Sequence, residues 1–217
     1  ISGNPYFYVN SDVTLTLNPG AVLKSRGGNL HLGGGSSLIG AGTAENPAVL
    51  TAITDDTAGG DTNGDGNASS PETSSWGGII LSPRGGSSLS LDRVQVRYPT
   101  QAVVVPWTND TVDASVTITR NVIEHTDNTR QAVELTGVST PRVSNNEFRD
   151  TWIPIAVHNG EIDLTRLAGN TTNGANRQLD ISGHLVADAA LPMDGNLIPA
   201  ISGNPYFYVN SDVTLTL

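Results

Sequence analysis

The stretch Leu91-Asp92-Arg93-Val94-Gln95-Val96-Arg97-Tyr98 decides the fold, because it returns twice without gaps. It reappears as Ile118-Thr119-Arg120-Asn121-Val122-Ile123-Glu124-His125 and as Val143-Ser144-Asn145-Asn146-Glu147-Phe148-Arg149-Asp150, at offsets of 27 and 25 residues. Leu164-Thr165-Arg166-Leu167-Ala168-Gly169-Asn170 follows 21 residues later and fills the same slots less closely. Between these windows lie further β-rich runs, Gly78-Ile79-Ile80-Leu81, Ala102-Val103-Val104-Val105, Ala132-Val133-Glu134-Leu135 and Ile155-Ala156-Val157-His158, so each period contributes more than one strand. Apolar and polar residues alternate within the windows, which is the period of a strand, and Gly, Asn, Asp and Pro punctuate the intervals. Strands that recur at this spacing stack in parallel, coil over coil, whereas antiparallel hairpins need a different spacing. The expected fold is therefore all-β, a right-handed parallel β-helix (a solenoid).

Stacked positions follow from the alignment. Leu91, Ile118, Val143 and Leu164 are expected in one inward column and Val96, Ile123 and Phe148 in another, with Asn121 above Asn146 as an amide ladder at the turn between strands. Outside, Arg97, Glu124 and Arg149 share one slot in consecutive coils, which sets opposite charges about 4.8 Å apart.

A longer repeat frames the shorter one. Ile1 to Leu17 reads ISGNPYFYVNSDVTLTL, and Ile201 to Leu217 reads the same, residue for residue. The unit is thus 200 residues, and a tandem array is its expected origin. Residues 1–200 are expected to form one β-helix unit with an excursion at about 54–76, and residues 201–217 to begin the next copy. The expected partners are neighbouring copies stacked head to tail in an open filament. With roughly eight or nine coils per unit, each copy would advance the fibre by about 40 Å.

The 217 residues, 37% hydrophobic and 15% charged, are enough to bury a substantial core and too apolar for a disordered chain. The longest apolar runs fall far short of a bilayer span, so membrane insertion is not expected. Acidic residues outnumber basic ones, 21 to 11, and Lys24 is the single lysine, so nucleic acid is not an expected partner. There is no cysteine, hence no disulfide or thiol chemistry. His31, His125, His158 and His184 are scattered, and no pair of carboxylates facing across a groove can be named. No catalytic residue is assigned, and the chain is not expected to be an enzyme. Ordered-water binding is not expected either, since Thr14-Leu15-Thr16 and Thr117-Ile118-Thr119 do not recur in successive coils.

The strongest motif lies in the excursion. Residues 61 to 72 read Asp61-Thr62-Asn63-Gly64-Asp65-Gly66-Asn67-Ala68-Ser69-Ser70-Pro71-Glu72, which matches D-x-[DN]-x-[DN]-G-x₅-E at every specified position. A hard cation such as Ca²⁺ takes six to eight oxygens. Asp61, Asn63 and Asp65 would supply side chains, Asn67 its carbonyl and Glu72 a bidentate carboxylate, with Gly66 at the tight turn and Ser69 acting through a water. The flanks Thr57-Ala58-Gly59-Gly60 and Thr73-Ser74-Ser75-Trp76 do not read as the two helices of an EF-hand, and Pro71 sits inside the loop. The expected role of Ca²⁺ is to order the excursion, not to drive a conformational switch.

The succession Tyr6-Phe7-Tyr8-Val9, Val13 to Lys24, Leu38-Ile39-Gly40-Ala41-Gly42-Thr43, Pro47-Ala48-Val49-Leu50-Thr51, the loop from Asp55-Asp56 to Glu72, and Trp76-Gly77-Gly78-Ile79 resembles the right-handed parallel β-helix repeats of large bacterial surface and secreted proteins, adhesins among them. The resemblance covers residues 1 to about 100 and rests on generic coil patterning beyond. It implies pectate-lyase-like coils, an extracellular location at the bacterial cell surface or secreted, calcium in the loop, and a structural or adhesive task as a fibre or stalk. The same architecture hosts polysaccharide lyases and glycosidases, so a polysaccharide-binding or polysaccharide-cleaving domain is the alternative, and cell-surface glycans are a further candidate partner.

Overall fold

The structure, a computed structural model, describes residues 6–108, 112–201 and 206–217. Residues 1–5 and 202–205 of the duplicated segment lie outside the described residues. The chain winds into a parallel β-helix of about eight turns. Coil 1 contains β1 (Tyr6–Val9), β2 (Thr14–Leu17) and β3 (Val22–Ser25), and coil 2 contains β4 (Asn29–Leu32), β5 (Ser37–Ala41) and β6 (Ala48–Ala52). Coil 3 follows the excursion with β7 (Gly78–Leu81), β8 (Ser88–Asp92) and β9 (Val94–Arg97); coil 4 has β10 (Val103–Val105), β11 (Ser115–Thr119) and β12 (Val122–Glu124). Coil 5 has β13 (Gln131–Thr136), β14 (Arg142–Ser144) and β15 (Glu147–Arg149). Coil 6 has the long β16 (Ile153–Ile162), a 3₁₀ turn at Leu164–Leu167 and β17 (Thr171–Thr172). Coil 7 has β18 (Gln178–Leu185) and β19 (Ala189–Ala190), and the last turn has β20 (Ile198–Ile201), β21 (Phe207–Val209) and β22 (Leu215–Thr216).

Coils 1 to 5 each place one strand in each of three parallel sheets, coil 6 in two and coil 7 in one, and β19 and β22 pair in a separate two-stranded sheet. Of the three, the first runs β1-β4-β7-β10-β13-β16-β18, with both β20 and β21 on β18; the second runs β2-β5-β8-β11-β14, and the third β3-β6-β9-β12-β15-β17. Registers are those of the expected columns: Leu91 pairs Ile118 and Ile118 pairs Val143, while Val96 pairs Ile123 and Ile123 pairs Phe148. All six are fully buried, as are Ile79, Val103, Val133 and Ile155 of the first sheet. The corners are made by residues in the left-handed region, Arg93, Arg120, Asn145 and Gly169 in successive coils. This conformation costs a non-glycine residue about 1–2 kcal/mol. The amide ladder beside the corner compensates.

That ladder has three full rungs. Asn121 Oδ1 accepts from Val94 N–H at 2.7 Å, Asn146 Oδ1 accepts from Asn121 N–H at 2.9 Å, and Asn170 Oδ1 accepts from Asn146 N–H at 3.0 Å. Each Nδ2 donates to a main-chain carbonyl of the coil before: Leu91, Ile118 and Val143 respectively. The fourth window is therefore shifted by three residues from the expected alignment. Asn170, not Leu167, stacks on Asn146, and Leu164 lies in the 3₁₀ turn, where Asp163 caps the helix by accepting from Thr165 N–H at 2.9 Å. Outside, the charge column is as expected and longer: Arg97 Nε lies 3.2 Å from Glu124, Arg149 Nη1 lies 3.5 Å from Glu124, and Arg97 Nη1 reaches back 3.4 Å to buried Asp55.

The duplicated segment continues the stack. Gly183, His184 and Leu185 pair with Phe207, Tyr208 and Val209, and Ala189-Ala190 pair with Leu215-Thr216. β21 thus occupies in the first sheet the place that β1 holds seven rungs earlier. Seven rungs, not eight or nine, make one 200-residue unit, and the advance per unit is about 34 Å. The excursion accounts for the difference: it uses nearly a coil's length of chain without adding a rung.

A candidate metal centre in the excursion

The excursion leaves the stack at the end of β6 and returns at Trp76. Asp55 closes the exit. Its N–H donates to Ala52 O at 3.1 Å, its Oδ2 accepts from Thr51 Oγ1 at 2.7 Å, and its Oδ1 accepts from Thr57 N–H at 3.2 Å. Burial opposes ionisation of this carboxyl, but the hydrogen bonds from Thr57 and Thr51 and the Arg97 guanidinium outweigh it and hold the group below the ordinary carboxylate range. Trp76 fixes the return: it is buried, its Nε1 donates to Arg97 O at 2.7 Å, and it bridges Pro99. On the near side, Lys24 Nζ donates to Gly60 O at 2.6 Å and ties the loop to β3.

Between these anchors Asp61 organises the turn. Its carboxylate accepts from Gly64 N–H at 2.7 Å, Asp65 N–H at 3.2 Å and Gly66 N–H at 2.8 Å, and these bonds, that from Gly66 foremost, draw its pKa down. Gly64 and Gly66 have φ of 74° and 71°, a region in which a side chain is strained. Asn63 Nδ2 donates to Asp65 Oδ2 at 2.8 Å and to Ser69 Oγ at 3.0 Å, and Ser69 Oγ bonds the same Asp65 oxygen.

The result is a knot of oxygens. Carboxylate oxygens of Asp56, Asp61 and Asp65 lie within 4.8 Å of one another. Asp56 Oδ1, Asn63 Oδ1 and Asp65 Oδ1 are each shielded from solvent and receive no hydrogen bond. Three orphaned, buried acceptors beside mutually repelling carboxylates are costly unless a cation joins them. An all-oxygen donor set suits a hard ion such as Ca²⁺ and not a soft one. Of the expected ligands, the fold groups Asp61, Asn63 and Asp65. Asn67 is exposed. Glu72 is also exposed and stands outside the carboxylate group, along a shallow cleft with Arg26, Thr54 and Ser75. No helix follows the loop to swing position 12 back over the carboxylates; residues 70–75 turn instead toward the Trp76 anchor. The third carboxylate is Asp56, which lies ahead of the motif window; its only sequence signal is its place beside Asp55.

Tyr98, His125 and Asp150 form an outward column at the end of the third sheet, all three in the left-handed region. The Tyr98 and His125 rings stack at 4.8 Å, and His125 Nδ1 lies 3.2 Å from Asp150. His158 lies 3.4 Å from Asp180, on the first sheet. Comparison of the chain with models of protein families, with curated proteins and with solved structures finds no match in any of the three.

Proposed function

We propose that the chain is a unit of a long extracellular fibre or adhesin stalk on a bacterial surface, in which tandem copies continue one β-helix head to tail and Ca²⁺ orders the excursion of each copy. The observation that carries this reading is the seating of residues 206–217. They repeat residues 6–17; β21 adds the next rung to the first sheet, and β22 pairs β19 of the coil before. A structural module gains length with every identical copy, and the role is accordingly structural, not catalytic. The surface location follows from the resemblance of residues 1 to about 100 to repeats of that class. The oxygen-only cluster of Asp56, Asp61, Asn63 and Asp65 supports the cation, which at that place would neutralise the carboxylates and tie the loop to the end of β6. Electron microscopy of a tandem chain tests the fibre: a thin rod lengthening by about 34 Å per added copy is expected, and a compact particle would overturn the proposal.

One observation favours glycan binding as a second reading. Trp107, 63% exposed, borders an open cleft of about 390 Å³ with Ser139, Asn159, Glu161 and His184. An exposed indole beside hydroxyl, amide and carboxylate groups can stack on a sugar ring while they hold its hydroxyls. Binding on a glycan array that Trp107→Ala abolishes would establish it; no binding would remove it.

A further inference from the structure

The duplicated segment carries the same tyrosine at two places, and each meets a histidine ring, one stacked and one tilted. Tyr208 lies on His184, its register partner, with ring centroids 5.0 Å apart and planes 19° from parallel. Tyr8, the same residue in the first copy, lies on His31, also its register partner, at 4.9 Å and 48°. The two histidines approach the tyrosine from opposite sides: His184 belongs to the coil before β21, and His31 to the coil after β1. Tyr8 and Tyr208 are each about half exposed, at 52% and 50%, and each also meets a tyrosine of its own segment, Tyr6 at 5.8 Å and Tyr206 at 5.9 Å.

Resting on the tandem-array reading, we propose that every junction between copies is keyed by a three-ring column: His184 of one copy, Tyr8 of the next, and His31 of that next copy. The surface at the end of coil 7 is then a socket whose partner is a second copy of this chain. The polar contacts around the column support the fit. His184 Nδ1 lies 3.3 Å from Asn210 Oδ1, and Asp188 Oδ1 accepts from Thr214 N–H at 2.7 Å. Gly183 N–H donates to Tyr206 O at 3.0 Å and Ala189 N–H to Thr214 O at 3.0 Å. Glu161, the register partner of His184 on its other side, is held away by Ser139 Oγ at 2.6 Å. Burial lowers the pKa of His31, which favours the neutral imidazole against the phenol face.

The test uses the 217-residue chain. Amide exchange is measured at residues 183–185 and 207–209, with the imidazole proton shifts of His184, in wild type, His184→Ala, Tyr208→Leu and Tyr208→Phe. Aromatic pairs contribute enough beyond their area for about a three- to tenfold change. Exchange at residues 207–209 is expected to rise by that factor in His184→Ala and Tyr208→Leu and to stay near wild type in Tyr208→Phe, which keeps a ring. The ring-current shift of His184 is expected to vanish only in Tyr208→Leu. If residues 207–209 are protected in wild type and stay so in both ring deletions, the column is wrong and the tandem stack stands. If they exchange freely in wild type, both are wrong.

Discussion

Replacing Asn146 by alanine removes the middle rung of the amide ladder and leaves the apolar columns intact. The side chain, 1% exposed, makes four hydrogen bonds: Nδ2 donates to Ile118 O at 2.9 Å and to Asn170 Oδ1 at 2.9 Å, and Oδ1 accepts from Asn121 N–H at 2.9 Å and Asn121 Nδ2 at 3.0 Å. Each such bond contributes about 1 kcal/mol net, and stranding the buried Asn121 N–H adds a desolvation cost of about 1–3 kcal/mol, so the loss should be about 5–7 kcal/mol. That is a large fraction of a typical domain stability of about 5–15 kcal/mol. Guanidinium unfolding followed by circular dichroism measures it, and amide exchange at Asn121 locates it. Because Asn121 and Asn146 share a bond between side chains, Asn121→Ala combined with Asn146→Ala should cost less than the sum of the two by about 1 kcal/mol. A loss below about 1 kcal/mol for Asn146→Ala, with the Asn121 amide still protected, would mean that the asparagines are ordinary turn residues.

Adding Ca²⁺ should raise the melting temperature and protect residues 58–75 from protease, and EDTA, Asp61→Ala or Asp65→Ala should each cancel the effect while the remaining coils keep their β circular dichroism; saturation at about 100 times Kd corresponds to about 2.7 kcal/mol. Gly78→Ala should cost more than about 3 kcal/mol in denaturant unfolding, because a Cβ there would run into the main-chain oxygen of Gln101 in a backbone with φ of 93°. Glu124→Gln, which discharges the partner of both Arg97 and Arg149, should cost only about 1 kcal/mol, since the guanidiniums are partly exposed, and the cost should shrink in about 1 M salt. Incubation with pectin, alginate or other acidic glycans should release no reducing ends or unsaturated products; release abolished by one carboxylate substitution would make the chain an enzyme.

The windows around Leu91, Ile118 and Val143 were legible because each carries its alternation, its corner and its outward charge at fixed spacing, so one alignment satisfied three independent constraints. The fourth window misled because it was anchored on apolar residues, which tolerate displacement; Asn170 has directional partners and sets the register, while Asp163 turns Leu164–Leu167 into a 3₁₀ helix. The coil number was overestimated for a similar reason: an average period counts the excursion as coil. At the candidate metal centre, Asp61, Asn63 and Asp65 were legible from loop chemistry, which is local. Asp56 was not, because its approach depends on where Asp55 pins the end of β6, and nothing in a twelve-residue motif encodes that.

The ladder hydrogen bonds between coils lie along the solenoid axis, and this sets how the molecule answers a pull. Tension along the axis loads the bonds of the terminal coil end-on, so that coil should peel off before its neighbour yields, and the chain unspools. A turn of 25 to 27 residues surrenders about 4.8 Å of rod and releases about 80–90 Å of slack. The turn that carries the excursion, 51 residues from Ser37 to Ser88, would release about 170–180 Å, in one step or, with a cation clasping the loop, in two. Force spectroscopy on a tandem chain would read these increments directly, and a stalk built this way would act as a reel that spends length to limit the load at whatever it holds.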